Sequence, residues 1–404
     1  MKLSCRIVHV ERTPVYLGKD SLRHLDKLVA TARPRFDKVF LLTDEATAEC
    51  CLPALREGAA SIAGYHHLQV KGGEVSKSFG NAVSLWTELA SAGATRHSLM
   101  INLGGGVVSD LGGFVAAGYQ RGIRYVNIPT SLIGQVDAAI GGKTGINLDM
   151  VKNQVGFFHN PLAVFIHTGF LKTLPPRHFR SGFAEIVKSI LTGDGRLWKR
   201  LLAMDATELL TSSPVHRFMD DLIRFTVTYK VRIVREDYRE KRLRKVLNFG
   251  HTAGHAYETL SHRILAEPLY HGEAVAAGMM VAALLSMQKA GLPETDFTAI
   301  TGFMMKHFAV TCIASLPVGD ITDTMLHDKK RRSGHIEFTL IRKPGEPLLQ
   351  VRCTENEIVA ALETVRDIAA AHSAREKEAS SGSAMVNGPS FAACQDTDTE
   401  RLSP

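Results

Sequence analysis

Near residue 170 the hydrophobic period of this chain changes, and that change restricts the fold more than any other feature. Before it, short apolar runs such as KVFLLTD, SLMINLGGG and IRYVNIPTS end in Gly, Asp or Thr and alternate with helical patterns such as SFGNAVSLWTELASAG. Such alternation predicts an α/β unit with a largely parallel sheet, whose ligands bind beyond the carboxyl ends of the strands. After it, FAEIVKSILTGDGRLWKRLL, VHRFMDDLIRFTVTYKVRIVRED and GEAVAAGMMVAALLSMQKAG carry apolar residues three and four apart, which predicts a mainly α-helical half. A β-like IEFTLI and a last helix in ENEIVAALETVRDIAAA follow. At 404 residues the chain exceeds what one core comfortably fills. The expected organisation is therefore an α/β domain over 1–170, a helical domain over 171–371 and a tail over 372–404. That tail is rich in Ser, Gly and Asp, lacks periodicity and reads as disordered.

Composition excludes several function classes. The longest uncharged apolar run, Ala274 to Met287, is shorter than the roughly 20 residues a bilayer span needs, so it reads as a buried core helix. The opening MKLSCRIVHVERTPVYLG alternates like a strand and resembles neither a signal peptide nor a transit peptide, which makes the cytoplasm the expected location. Cys5, Cys50, Cys51, Cys312, Cys353 and Cys394 are scattered without a CxxC pair, and are read as free thiols. A net charge of +7 is compatible with nucleic acid, but the basic residues form no run interleaved with aromatics and no helix-turn-helix or finger pattern occurs. Small anionic ligands fit this charge better.

Several stretches concentrate residues able to do chemistry. In INLGGGVVSDLGGF, Gly104, Gly105 and Gly106 follow a strand and precede a helix, where bare backbone N–H groups can meet a pyrophosphate; a steric glycine turn has equal weight. GGEVSKSF adds Glu74 and Lys77, a solvated face on the plainer reading. YQRGIRYVNIPTSLIGQVDAAIGGKTGINLDMVKNQVGFF gathers Arg121, Arg124, Asp137, Lys143, Lys152 and Asn153 among glycines, an arrangement suited to phosphate or carboxylate, with a basic surface loop as the alternative. Glu185 and Lys188 share a helix face, as a simple ion pair would, and His251 and His255 share another. Glu185, His251 and His271 together would make a two-histidine, one-carboxylate set suited to zinc and related divalent ions. Spacing alone leaves open whether both histidines of the HxxxH pair are ligands.

Taken together, GGGVVSDLGGFVAAGYQRG, IPTSLIGQVDAAIGGKTGIN, KNQVGFF, FAEIVK, LRKVLNFGHTAGHAYE, HGEAV and HDKK resemble the 3-dehydroquinate synthase family of sugar phosphate cyclases, through most of residues 40 to 345. The resemblance implies an NAD-binding α/β domain with a Rossmann-like parallel sheet, a mainly helical metal domain, a homodimer, and an active site in the cleft between the domains. It implies that Glu185, His251 and His271 hold a zinc or cobalt ion, and that His255 faces the substrate phosphate instead. Asp137, Lys143, Asn153, Lys188, Lys230, Arg244 and Asn248 match substrate positions, as does one of Lys329 and Lys330, while Arg121 matches a residue reaching in from the neighbouring subunit. Asp44, Glu74, Lys77, Gly104 to Gly106, Asp110, Thr130, Ser131, Lys152 and the run Phe170, Leu171, Lys172, Thr173 match NAD positions. The implied reaction turns 3-deoxy-arabino-heptulosonate 7-phosphate into 3-dehydroquinate and phosphate, with NAD oxidising a ring hydroxyl and later returning the hydride, so that no net redox occurs.

Departures from the family pattern are small: PTS stands for PTT, DAAI for a DSS sequence, and His167 for a frequent aspartate. SHRILAEP, between His251 and His271, predicts a longer loop. Two rivals keep the architecture. Cyclases of sedoheptulose 7-phosphate or glucose 6-phosphate make valiolone- or inosose-type products, and metal-dependent polyol dehydrogenases accumulate NADH. A non-catalytic anion-binding protein would leave the histidines to packing.

Overall fold

The computed structural model describes residues 5–10, 13–148, 151–204, 217–329 and 335–385. Its main sheet has seven strands: β1 (Arg6–Val10), β2 (Thr13–Leu17), β3 (Val39–Asp44), β4 (His66–Val70), β5 (Leu99–Gly104), β6 (Arg124–Pro129) and β9 (Ala163–Ile166). Between β6 and β9 a separate antiparallel hairpin forms from β7 (Lys143–Leu148) and β8 (Val151–Phe158). The sheet order is β1-β2-β9-β6-β5-β3-β4, with β1 antiparallel to β2 and the other neighbours parallel. Alternation sets its two faces: Phe40, Leu42 and Met100 pack on one, and Leu41, Ile101 and Val126 on the other. A sheet buried on both faces needs helices on both. Helices Phe79–Ser91 and Gly106–Gly118 cover the first face and Ser21–Thr31 the second.

Strand β4 lies outside β3, whereas β5 lies on the other side of β3, so the winding direction reverses between β3 and β5. Ligand crevices of parallel sheets open at such a point. Here Asp44 and Gly104 end the two strands that flank it.

The second half is mainly helical, as its period predicts, with a hairpin of β10 (Ile336–Lys343) and β11 (Glu346–Cys353) where IEFTLI reads as β-like. Its centre is helix His271–Ala290, buried continuously from Gly272 to Ser286. A helix apolar on all sides belongs inside a core. Among the described residues no helix is long and apolar enough to cross a membrane. One apolar cluster joins Val15 and Leu17 of β2 and Val164 and Ile166 of β9 to Leu132, Val136, Phe183, Val187, Phe249 and Met279. The change of secondary structure near residue 170 is therefore crossed by continuous packing.

Two expectations need correction. The last helix spans Glu355–Met385, past the end predicted at Ala371. SAREKEAS supplies Ala, Glu, Lys and Arg, strong helix formers that the Ser- and Gly-rich character of the whole tail concealed. The remainder of the tail, 386–404, lies outside the described residues, as does Cys394; Cys5, Cys50, Cys51, Cys312 and Cys353 are free thiols. SHRI forms the last turn of helix His251–Ile264, which leaves 265–270 as the connection to the next helix.

Candidate active site

Glycine lets three helices approach closely enough for their side chains to share one point. A Cβ at Gly278 would stand 2.0 Å from the Gly250 carbonyl oxygen, and one at Gly272 would stand 2.0 Å from that of Ser181. Helices His251–Ile264, His271–Ala290 and Pro176–Gly193 thereby touch through backbone. Gly250, at φ +79°, makes the left-handed turn that starts the first of them. The start of the second is fixed by Glu273, which accepts from the Tyr270 N–H and from Arg177 Nε and Nη2, each at 2.8 Å.

At this meeting point Glu185, His251 and His271 each offer a ligand atom, all within 4.8 Å of one another. Glu185 Oε1 is buried and accepts no hydrogen bond, although His251 Nε2 lies 3.5 Å away and His271 Nε2 3.3 Å away. The other ring nitrogens are engaged: His251 Nδ1 faces the Phe249 carbonyl at 3.3 Å and His271 Nδ1 faces Glu258 Oε2 at 3.2 Å. Both partners accept, so both Nδ1 atoms donate, and each ring in its neutral form aims an Nε2 lone pair at a carboxylate oxygen. Three acceptors converging in a buried space require positive charge between them, and a divalent cation fits that donor set. Burial, and next Lys188, lower His251 to about 3, which keeps it in the neutral form a ligand needs. Burial also works against a charged His271, but Glu258 and Glu185 outweigh it and push that ring up to about 10. A divalent cation held by the three residues would take the place of this proton. His255 is exposed, with its ring 5.3 Å from that of His251, and lies outside the three-residue cluster.

Charged groups extend from this point toward the sheet. Buried Lys188 donates to Glu185 Oε2. Burial opposes its charge, yet Glu185 and Asp137 raise its pKa. Asp137 sits in a π-turn, Gly134–Ala138, and accepts from Lys230, whose Nζ also reaches the Asp137 carbonyl at 2.8 Å. Burial lowers the pKa of Lys230 even with Asp137 beside it. Arg244 is buried with Nη1 on the carbonyls of Gly141, at 3.2 Å, and Tyr238, at 2.6 Å. Its loop is shaped by Asp237, which accepts from the N–H groups of Lys241, Arg242 and Arg244 at 2.9, 2.7 and 3.0 Å. Glu240 lies in the same loop at φ +56° and bridges Lys143 to Asn248 Nδ2.

The residues expected to meet the cofactor divide into groups. Lys77 is buried and donates to Asp110 Oδ2 at 2.8 Å and to Asn153 Oδ1, with Glu74 Oε1 3.6 Å away. Asn153, at φ +53° and matched to a substrate position in the sequence, is thus held beside Lys77 and Asp110. Gly104, Gly105 and Gly106 lead into helix Gly106–Gly118 beside the crevice, where a Cβ on Gly105 would stand 3.1 Å from Ser131 Oγ. Thr130 N donates to the Gly104 carbonyl at 3.0 Å, and Asp44 caps the next helix through Thr47 N at 2.8 Å. These bare backbone groups at a helix N-terminus suit a pyrophosphate. Phe170 and Leu171 pack into apolar clusters, so only Lys172 and Thr173 of that run present exposed side chains. Lys152 reaches Glu258 Oε1 at 2.7 Å, beside the metal ligands. Arg121 is exposed at φ +67°; Lys329 ends helix Val318–Lys329, and Lys330 lies outside the described residues.

Sequence reasoning missed Glu258 and Glu240. Glu258 follows His251 by seven residues, two helical turns, and so falls on the same face, which is a usable signal. Glu240 gains its place from a loop conformation that no period encodes.

Residues 67–181 match the family model described as 3-dehydroquinate synthase N-terminal, and residues 182–331 match the one described as 3-dehydroquinate synthase C-terminal. The chain belongs to the 3-dehydroquinate synthase family. A curated 3-dehydroquinate synthase of Parabacteroides distasonis is 36% identical over 87% of this chain and 98% of its own length. Among solved structures, 2-epi-5-epi-valiolone synthase from Streptomyces hygroscopicus, with NAD+ and Zn2+ bound, is 28% identical with a TM-score of 0.73, over 84% of this chain and 95% of that one. A 2-deoxy-scyllo-inosose synthase complexed with carbaglucose-6-phosphate, NAD+ and Co2+ shares the fold at a TM-score of 0.75 and 23% identity, over 89% of this chain and 99% of that one. Glu185, His251 and His271 all lie in the part matched by the family's C-terminal model.

Proposed function

We propose that this protein is a 3-dehydroquinate synthase: a phosphate-eliminating cyclase that takes 3-deoxy-arabino-heptulosonate 7-phosphate, with NAD and one divalent metal as cofactors. The observation that carries the reading is the intact Glu185–His251–His271 cluster beside buried Lys188, Lys230 and Arg244, in a chain 36% identical to a curated 3-dehydroquinate synthase along 98% of that protein. When bound, NAD supplies reversible hydride transfer and the ion polarises substrate oxygens. The residues that would hold the ion are Glu185, His251 and His271, and the glycine turn Gly104–Gly106 with Asp44 would hold the dinucleotide. Lys188, Lys230 and Arg244 present positive charge from buried side chains, where fixed charge stabilises a departing phosphate and a substrate carboxylate more than it would in solution. Asp137, held ionised by Lys230 and Lys188 despite burial, accepts from the Lys230 ammonium and orients it. Lys143 and Asn248, joined by Glu240, stand at the open side.

The enzyme is further read as a cytoplasmic homodimer. Ring contacts run from exposed Phe79 through Trp86 and Phe114 to exposed Phe157, forming one apolar face, and a Cβ on Gly118 would stand 2.7 Å from Trp86. The Tyr119–Arg121 turn adjoins that face. A second copy covering it would bring Arg121 toward a neighbouring site.

The assay is phosphate release by the purified protein with NAD, Zn2+ or Co2+ and the heptulosonate phosphate, with no accumulation of NADH. Release from sedoheptulose 7-phosphate alone would replace this reading with the valiolone-type cyclase, and stoichiometric NADH with the polyol dehydrogenase.

A further inference from the structure

Resting on the metal reading above, we infer that Glu258 is a positioning residue for the metal centre, fixing His271 so that its Nε2 faces Glu185 while its Nδ1 donates to the Glu258 carboxylate. Glu258 is 4% exposed and has two partners. Its Oε2 lies 3.2 Å from His271 Nδ1, and its Oε1 accepts from Lys152 Nζ at 2.7 Å. It stands on the helix that carries His251, two turns on, and reaches across to the helix that carries His271, so one carboxylate spans both histidine-bearing elements. A carboxylate behind an imidazole selects the Nδ1–H tautomer, fixes the ring plane and makes the opposite nitrogen more basic. His251 obtains its tautomer from a backbone carbonyl, which fixes the ring without adding charge. Lys152 enters from β8 in the first half of the chain, so the hairpin bearing Asn153 meets the metal helices at this carboxylate.

A merely packed glutamate would influence fold stability and leave metal affinity unchanged. Chelator-stripped protein is therefore titrated with Co2+, followed by its visible absorption, and with Zn2+ against a chromophoric competitor. Wild type should take one ion and His251→Ala none; a wild type that takes none overturns the metal reading and this inference with it. Glu258→Ala should bind roughly 10- to 100-fold more weakly. Glu258→Gln keeps volume and an acceptor but loses the charge, and should bind about tenfold more weakly, which decides the matter if the alanine variant does not fold. The rise in melting temperature on adding Zn2+ should shrink in both, since that increment reads affinity separately from intrinsic stability. Wild-type affinity and an unchanged increment in Glu258→Gln would overturn the inference while leaving the function of the site untouched.

Discussion

At the scale of single residues, the two histidines of GHTAGH are separated by what surrounds them. His251 is largely buried, with its Nε2 3.5 Å from Glu185 Oε1 and its Nδ1 facing the Phe249 carbonyl; His255, one helical turn later, is exposed. His251→Ala should lose bound metal and phosphate release together. His255→Ala should keep a full equivalent of metal, measured after gel filtration by elemental analysis, and lose roughly 10²- to 10³-fold in turnover as one charge-stabilising donor disappears. Equal loss of metal from both would remove the distinction. Glu185, His251 and His271 were legible because a metal set has few residue types and the motifs fix their places. Glu240 was not legible, because it meets Lys143 and Asn248 only through a left-handed backbone turn held by Asp237.

Between elements, the site depends on helix separation. Helices His251–Ile264 and His271–Ala290 meet at Gly250, Gly254 and Gly278, where a Cβ on Gly278 would lie 2.0 Å from the Gly250 carbonyl oxygen and 2.6 Å from Gly254 N. Backbone cannot yield as a flexible side chain does, so Gly278→Ala should force the pair apart. The expected cost is about 1–3 kcal/mol, the usual range for overpacking a dense core. It should be read as a lower denaturation midpoint at an unchanged slope, accompanied by weaker metal binding, and an unperturbed variant would show that the contact is not tight. The helix itself was plain from AVAAGMMVAALLSM, an apolar run too short for a bilayer. Its partner and crossing distance were not, since helical spacing marks an apolar face without saying which glycines, here Gly250, Gly254 and Gly278, will serve as contact surface. Hairpin β7–β8 escaped for a related reason: KTGINL and VKNQVGFF interrupt their alternation with Gly, Lys and Asn.

For the whole molecule, the halves on either side of residue 170 differ in period yet share one apolar cluster from β2 and β9 to the central helix. The face the first half leaves uncovered is unusually apolar for a surface: Phe79 is 57% and Phe157 43% exposed, with Val83 and Val155 also exposed. In a two-fold dimer the same patch meets itself, and a residue at its rim is repeated at the partner's rim. Arg121 follows Gly118, which abuts Trp86 on this face, and its φ of +67° holds the turn out from the helix. If Arg121 serves the neighbouring site, Arg121→Ala and Lys188→Ala should each abolish phosphate release alone yet restore it when unfolded together and refolded as a mixture. The expected recovery is about a quarter of the wild-type rate, because half of the dimers are mixed and each mixed dimer holds one intact site. Recovery no greater than the sum of the parents, with sedimentation still at twice the chain mass, would place Arg121 in its own subunit's site.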